Sequence, residues 1–191
     1  MRPVLIVFAA LALGAAVQAK EAKEESTMVY GGGTDGNGWA FAVTAPSGWK
    51  FDCCDLATKH HANLLVFPDG WDAGDPDRVM VLVVWKKDRA SVDGDWEADA
   101  HAYTSRFPEV KTEAFDVQAK NLSCRSSVYI GADRLRDYVV FCDPGAEWRY
   151  RFGWSMTVRG DPADRSGIEA RFRRTIGSTT PMSLAIKQSD P

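Results

Sequence analysis

Between Trp148 and Arg159 the sequence alternates without a break. Trp148, Tyr150, Phe152, Trp154, Met156 and Val158 occupy one set of positions, and Arg149, Arg151, Gly153, Ser155, Thr157 and Arg159 the other. Successive side chains of a strand point to opposite faces, so this segment reads as a strand with one core face and one wetter face. Upstream, Ser123 to Ile130 and Leu135 to Cys142 flank a turn at 131–134, which makes the three segments an antiparallel meander. Pairing Gly131 with Leu135 fixes a register in which Cys124 lies directly opposite Cys142. Directly opposed Cα atoms sit about 4.5–5.5 Å apart, inside the range that a disulfide spans. In the same register Arg125, Arg149 and Arg151 share a face with Asp137, Val139 and Phe141. That face reads either as solvated or helix-covered, with the arginines paired to acids, or as a basic and aromatic surface for an acidic protein, lipid headgroup or glycan.

The remaining elements follow from period and punctuation. Trp39 to Val43 and Trp49 to Phe51 read as a hairpin about the Pro46-Ser47-Gly48 turn. Leu64 to Phe67 is a short strand ended by Pro68, and 69–77 is an acidic loop. Val79 to Trp85 is apolar at odd and even positions alike, so both of its faces are expected to be covered at the sheet centre. Trp96, Ala100, Tyr103 and Phe107 fall on one helical face, with Ser91 or Asp93 as cap and Pro108 as terminator. A last helix carries Asp161 as cap, Pro162 at its first position, a stripe of Ile168, Phe172 and Ile176, and Gly177 as its stop. Strands and helices in this order make an α+β fold: an antiparallel sheet flanked by helices.

The N-terminus bears on compartment. Arg2, an apolar run from Val4 to Val17, and small residues at Val17 and Ala19 read as a secretory signal peptide over 1–19, cleaved before Lys20. The run is too short to serve as a membrane anchor, which needs about 20 apolar residues. Residues 20–38 are polar and then Gly-rich and read as a flexible leader, 39–178 as the domain, and 179–191 as a frayed tail. The protein is therefore expected to be exported, periplasmic or extracellular, and soluble, with no transmembrane segment in the mature chain. With 23 Lys plus Arg against 26 Asp plus Glu, the net charge of −3 argues against nucleic acid as a partner.

Export makes disulfides the first reading of the four cysteines. Cys124–Cys142 leaves Cys53 and Cys54 as free thiols or as a vicinal pair; crosslinking of Cys53 and Cys54 to Cys124 and Cys142 is the alternative. Free, low-pKa thiols at Cys53-Cys54 would suit a redox protein.

No other chemistry is spelled out. His60 and His61 are adjacent and, on a strand, would face opposite ways, and His101 stands alone, so no metal site is read. Asp69, Asp72, Asp75 and Asp77 crowd one loop without the spacing of a calcium loop. Ser47 lacks the Gly-x-Ser-x-Gly frame of a nucleophile. Asn121-Leu122-Ser123 is a glycosylation sequon in a eukaryotic setting. We read no catalytic residue, no cofactor and no metal, and expect a non-enzyme.

The element order, with Phe41-Ala-Val-Thr-Ala-Pro-Ser-Gly-Trp49, Leu64-Leu-Val-Phe-Pro68, Val79 to Lys86 followed by a helix, Asp137-Tyr-Val-Val-Phe141 and the Ile168/Phe172/Ile176 helix, resembles the PsbP/Mog1-like superfamily. That superfamily includes DcrB-type bacterial envelope proteins. The resemblance covers 39–178 and implies an α/β/α sandwich that binds another protein rather than catalysing a reaction. It also admits an immunity protein or a chaperone for a secreted effector. The four cysteines lie outside what the superfamily generally carries.

Overall fold

The computed structural model describes residues 25–34, 37–73, 75–132, 135–160 and 162–184. The signal-peptide segment 1–19, the Asp161 cap and the tail beyond 184 lie outside the described residues. The elements are β1 (Ser26–Thr34), β2 (Asn37–Ala45), β3 (Trp49–Asp52), α1 (Asp55–Lys59), β4 (Leu64–Pro68), β5 (Met80–Lys86) and α2 (Val92–Arg106). They continue with β6 (Lys111–Ala114), β7 (Ser123–Ile130), β8 (Arg136–Asp143), β9 (Tyr150–Val158), α3 (Pro162–Ser178) and β10 (Thr180–Leu184). A seven-stranded antiparallel sheet runs in the order β3-β4-β5-β9-β8-β7-β6, and a three-stranded one in the order β1-β2-β10.

The meander register is the one the sequence implies. Cys124 pairs with Cys142 and Ser123 with Asp143. The cysteines are joined, with Cα atoms 4.2 Å apart. Tyr150, Phe152, Trp154, Met156 and Val158 of β9 all point into the core. Opposite them stand Met80 and Leu82 of β5 and Tyr138, Val140 and Cys142 of β8. The small sheet and α3 close over this face. Phe41 of β2 lies 4.7 Å from Phe152, centroid to centroid, and Phe172 of α3 packs against Phe115 and Tyr138. The helices α1 and α2 lie on the opposite face, α1 against β3 and β4, α2 against β7 and β8.

Several expectations are corrected. The segments around Pro46-Ser47-Gly48 do not form a hairpin: β2 joins β1 and β10, while β3 pairs with β4 in the large sheet. The turn is real, with the Trp49 amide donating to Pro46 O at 3.0 Å, but the chain uses it to cross between sheets. The leader is not flexible over 26–34, and the tail is not frayed over 180–184. Both are strands, because the two edges of β2 take them as partners, and Met28 and Tyr30 pack on the core. Gly177 does not end α3, which runs on to Ser178. It lies where the chain passes at Gln118, and a Cβ there would stand 3.3 Å from the Gln118 carbonyl oxygen. His60 and His61 sit at the C-terminal end of α1 rather than on a strand.

Candidate functional site

The second face of the large sheet carries Val81, Val83 and Trp85 (β5), Arg151, Gly153, Ser155 and Thr157 (β9), Asp137, Val139, Phe141 and Asp143 (β8), and Arg125, Ser127 and Tyr129 (β7). What happens here depends on where α2 settles. Ser91 caps it, its hydroxyl accepting from the Gly94 amide at 3.2 Å, so Ser91 rather than Asp93 starts the helix. Its sheet-facing side is polar. Asp95 is buried and meets Arg151, Trp96 donates its indole N–H to Ser127 Oγ at 2.9 Å, and Asp99 accepts from the Tyr129 hydroxyl at 3.0 Å. Tyr103 stacks on Tyr129 with centroids 4.1 Å apart and donates to Asp137. The apolar stripe expected from Trp96, Ala100, Tyr103 and Phe107 thus carries only part of the packing. Phe107 lies past the helix end and is exposed.

The N-terminal half of α2 is tied down by a chain of charges. Arg151 Nη1 donates to Asp95 Oδ2 at 2.9 Å and Arg151 Nε to Asp143 Oδ2 at 2.7 Å. Lys87 Nζ donates to Asp143 Oδ1 at 2.6 Å, and Arg89 Nη1 reaches Asp95 Oδ1 at 3.3 Å. Burial pushes the Asp143 carboxyl up, but hydrogen bonds from Lys87, Arg151 and the Gly145 amide outweigh it and hold it below its ordinary value. Arg151 is 2% exposed. It is therefore an internal tie and drops out of the basic surface read from the sequence. Arg125 pairs with Asp93 on the exposed rim, and Arg149 lies outside β9, exposed.

The contacts of Trp96, Asp99 and Tyr103 with Ser127, Tyr129 and Asp137 set α2 over β7 and β8. The strip over β5, β9 and the near side of β8 is left as a groove of about 780 Å³. Its floor is Val83, Val139, Phe141, Gly153, Ser155 and Thr157; Ala98, Asp99 and Tyr103 wall one side, and Trp85 closes an end. Val83 is 36% exposed. The expectation that both faces of this strand are covered is therefore corrected. Met80 and Leu82 are in the core, but Val83 looks into open space because α1 reaches only β3 and β4. Gly153 shapes the groove floor. A Cβ there would meet the Trp85 ring at 3.2 Å, so glycine lets the indole lie against β9. Beyond Tyr103 and Asp137, which line both, a second depression of about 510 Å³ continues past Phe107, Val110 and Leu135.

The other sequence candidates lie elsewhere. Cys53 and Cys54 carry free thiols, so the crosslinked alternative is not the one formed. The Cys54 thiol is raised, by its hydrogen bond with Cys53, by burial, and by the negative field of Cys53, Asp52 and Asp55, the reverse of an activated thiol. In the acidic loop, Lys50 pairs with Asp69, Arg159 with Asp75 and Arg78 with Asp77. Among the described residues no three His, Cys, Asp or Glu side chains gather into a metal-binding group, and no helix is long and apolar enough to cross a membrane. His101 and Ser47 are exposed on α2 and on the turn before β3. The groove is not spelled out by any motif of the sequence. Its one trace in the sequence was the two-sided apolar pattern of Val79 to Trp85.

No family model and no curated protein matches the chain. Among solved structures, the solution structure of cyanobacterial PsbP (CyanoP) from Synechocystis sp. PCC 6803 is similar in the course of its chain. The TM-score is 0.49 at 10% sequence identity, over 88% of this chain and 98% of that one.

Proposed function

We propose that this chain is an exported, non-enzymatic module of PsbP/Mog1-like, DcrB-type character that binds another protein in the groove beside α2. The observation that carries this reading is the uncovered apolar face of β5. An interior strand of the large sheet presents Val83 to open space beside Phe141 and Val139, and the groove floor is held in place because β9 pairs with β5 from Met80 to Lys86 and, on the other side, the Val84 amide donates to Asn63 Oδ1 at 2.7 Å. Apolar surface in a concave, pre-formed trough is what a partner's side chains can bury at little ordering cost. The polar groups around it are engaged in holding α2 rather than gathered about a reacting centre. The N-terminal segment supports export, and the Cys124–Cys142 bond suits an oxidising compartment.

The test is twofold. Amide resonances of the ¹⁵N-labelled protein are followed while a library of short peptides is added. Movement at Val83, Val139 and Gly153, lost in Val83→Asp with the remaining spectrum preserved, is the expected result. Responses confined to other surfaces, or turnover of ester, peptide or phosphoester substrates, would sink the reading. N-terminal sequencing of the protein from the exported fraction checks for a start at Lys20.

A further inference from the structure

Resting on that groove reading, we propose that the occupant is an extended segment of a partner protein that sets a lysine or arginine between Asp99 and Asp137 and lays apolar side chains along the β5–β9 floor. Shape favours a chain over a compact small molecule. The floor runs along β9 from Gly153 to Thr157, about 13 Å at strand rise, and the trough continues through Tyr103 and Asp137 into the depression beside Phe107. Two of the exposed large apolar side chains, Val83 and Phe107, lie along this one path.

Charge selects the sign of the occupant. Arg89 and Asp95 at the Trp85 end are used up in the ion chain with Arg151. Asp99 and Asp137 are not. Among the described residues Asp99 accepts only from the Tyr129 hydroxyl, and Asp137 only from the hydroxyls of Tyr103 and Thr157, the latter at 2.6 Å. Among the described residues neither carboxylate has a lysine or arginine on it. Burial pushes the Asp99 carboxyl up, with the Tyr129 hydrogen bond opposing, so the protein holds an under-compensated carboxylate beside an apolar floor. A guanidinium or ammonium supplies the missing charge, and charge-assisted hydrogen bonds to it are about twice as strong as neutral ones. The small acidic excess of the whole chain steers the same way.

The experiment uses three capped hexapeptides, alternating valine with lysine, with glutamine or with glutamate, and n-butylamine as a small-molecule control. Each is titrated against the ¹⁵N-labelled protein. The lysine peptide is expected to move Val83, Gly153, Ser155 and Asp99 amides and to bind about tenfold more tightly than the glutamine peptide, the scale of one charge-assisted hydrogen bond. Binding should weaken with salt, and the glutamate peptide should leave these amides still. Asp99→Asn keeps an acceptor for Tyr129, and a cooperative melting transition at or above the midpoint of the parent protein shows that it folds. It should remove the lysine preference, so that the lysine and glutamine peptides bind the variant with equal affinity. Equal binding of the lysine and glutamine peptides at these amides overturns the cationic preference while the groove reading stands. Matching affinity for n-butylamine overturns the polypeptide occupant. Silence at Val83 and Gly153 with all three peptides overturns both inferences.

Discussion

Asp95 offers the sharpest energetic test, because one carboxylate joins α2 to the sheet. Its side chain is 3% exposed, as is that of Arg151. Asp95→Leu removes the acceptor for Arg151 Nη1 at 2.9 Å and Arg89 Nη1 at 3.3 Å, and leaves the Trp85 indole N–H, now at 3.4 Å, without its carboxylate. Breaking a buried pair from one side costs about 3–5 kcal/mol, because the remaining charge stays buried. Two facts place this case near the bottom of that range. Arg151 keeps Asp143 on Nε at 2.7 Å and the Arg89 carbonyl on Nη1 at 3.0 Å, and Arg89 is half exposed, so its share is small. We expect a loss of about 3 kcal/mol. In urea, with a slope of about 2 kcal/mol/M, the midpoint falls by about 1.5 M at constant slope. Adding Arg151→Met to Asp95→Leu removes the stranded cation and replaces it with apolar volume. The double variant should then recover part of the loss, so that the two substitutions couple by more than about 1 kcal/mol. Strict additivity of the two, or a loss below about 1 kcal/mol for Asp95→Leu alone, would refute the buried tie as the anchor of α2.

Four further outcomes follow. Replacing both Cys124 and Cys142 by alanine opens a loop with a separation of 18 residues and should cost about 3 kcal/mol, read as a lower melting midpoint. The Asp143 carboxyl is held below its ordinary value of 3.8, so its contribution is complete above that value and is lost as pH falls through its lower folded value. Acid titration of the Lys87→Met variant should show that loss diminished. Asp99 has the opposite sign: its raised folded value means the ionised form costs stability at neutral pH, a cost relieved as pH falls through the folded value toward 3.8. Asp99→Asn should therefore raise the melting midpoint at pH 7, and the gain should fade in acid, a trade of binding for stability. Gly153→Val drives two methyl groups toward the Trp85 ring and should cost about 1–3 kcal/mol, with a shifted indole emission.

Much of the scaffold was legible because local period and global burial agree there. Trp154, Met156 and Val158 alternate as the core demands, and the Gly131–Leu135 turn sets a register that carries Cys124 to Cys142. Ile168, Phe172 and Ile176 are buried as the helical stripe requires. Legibility failed where a strand carries no period of its own. Ser26–Thr34 looks like a linker because Gly31, Gly32 and Gly33 carry no pattern, yet β2 supplies its hydrogen bonds. Thr180–Leu184 is invisible for the same reason. β6 is exposed along its whole length and has no buried side to announce it. The groove escaped because it is a property of what α2 does not cover. The helix settles over β7 and β8 by virtue of Asp99 and Tyr103, and Asp95 and Asp99, which lie off the expected apolar stripe, stand on its docking side.

The small sheet has a temporal consequence. β2 lies between a strand from the beginning of the chain and one from its end, with Ala42 opposite Val29 on one side and Thr180 on the other. The α3 terminus bonds into the same place, Ser178 Oγ accepting from the Thr44 amide at 3.1 Å. A polypeptide made N-terminus first cannot complete this layer until Thr180–Leu184 has emerged. Pairings of such long span close late, since loop closure must precede their gain. The core under Trp39 and Phe41 thus stays unsealed until Thr180–Leu184 is in place beside β2.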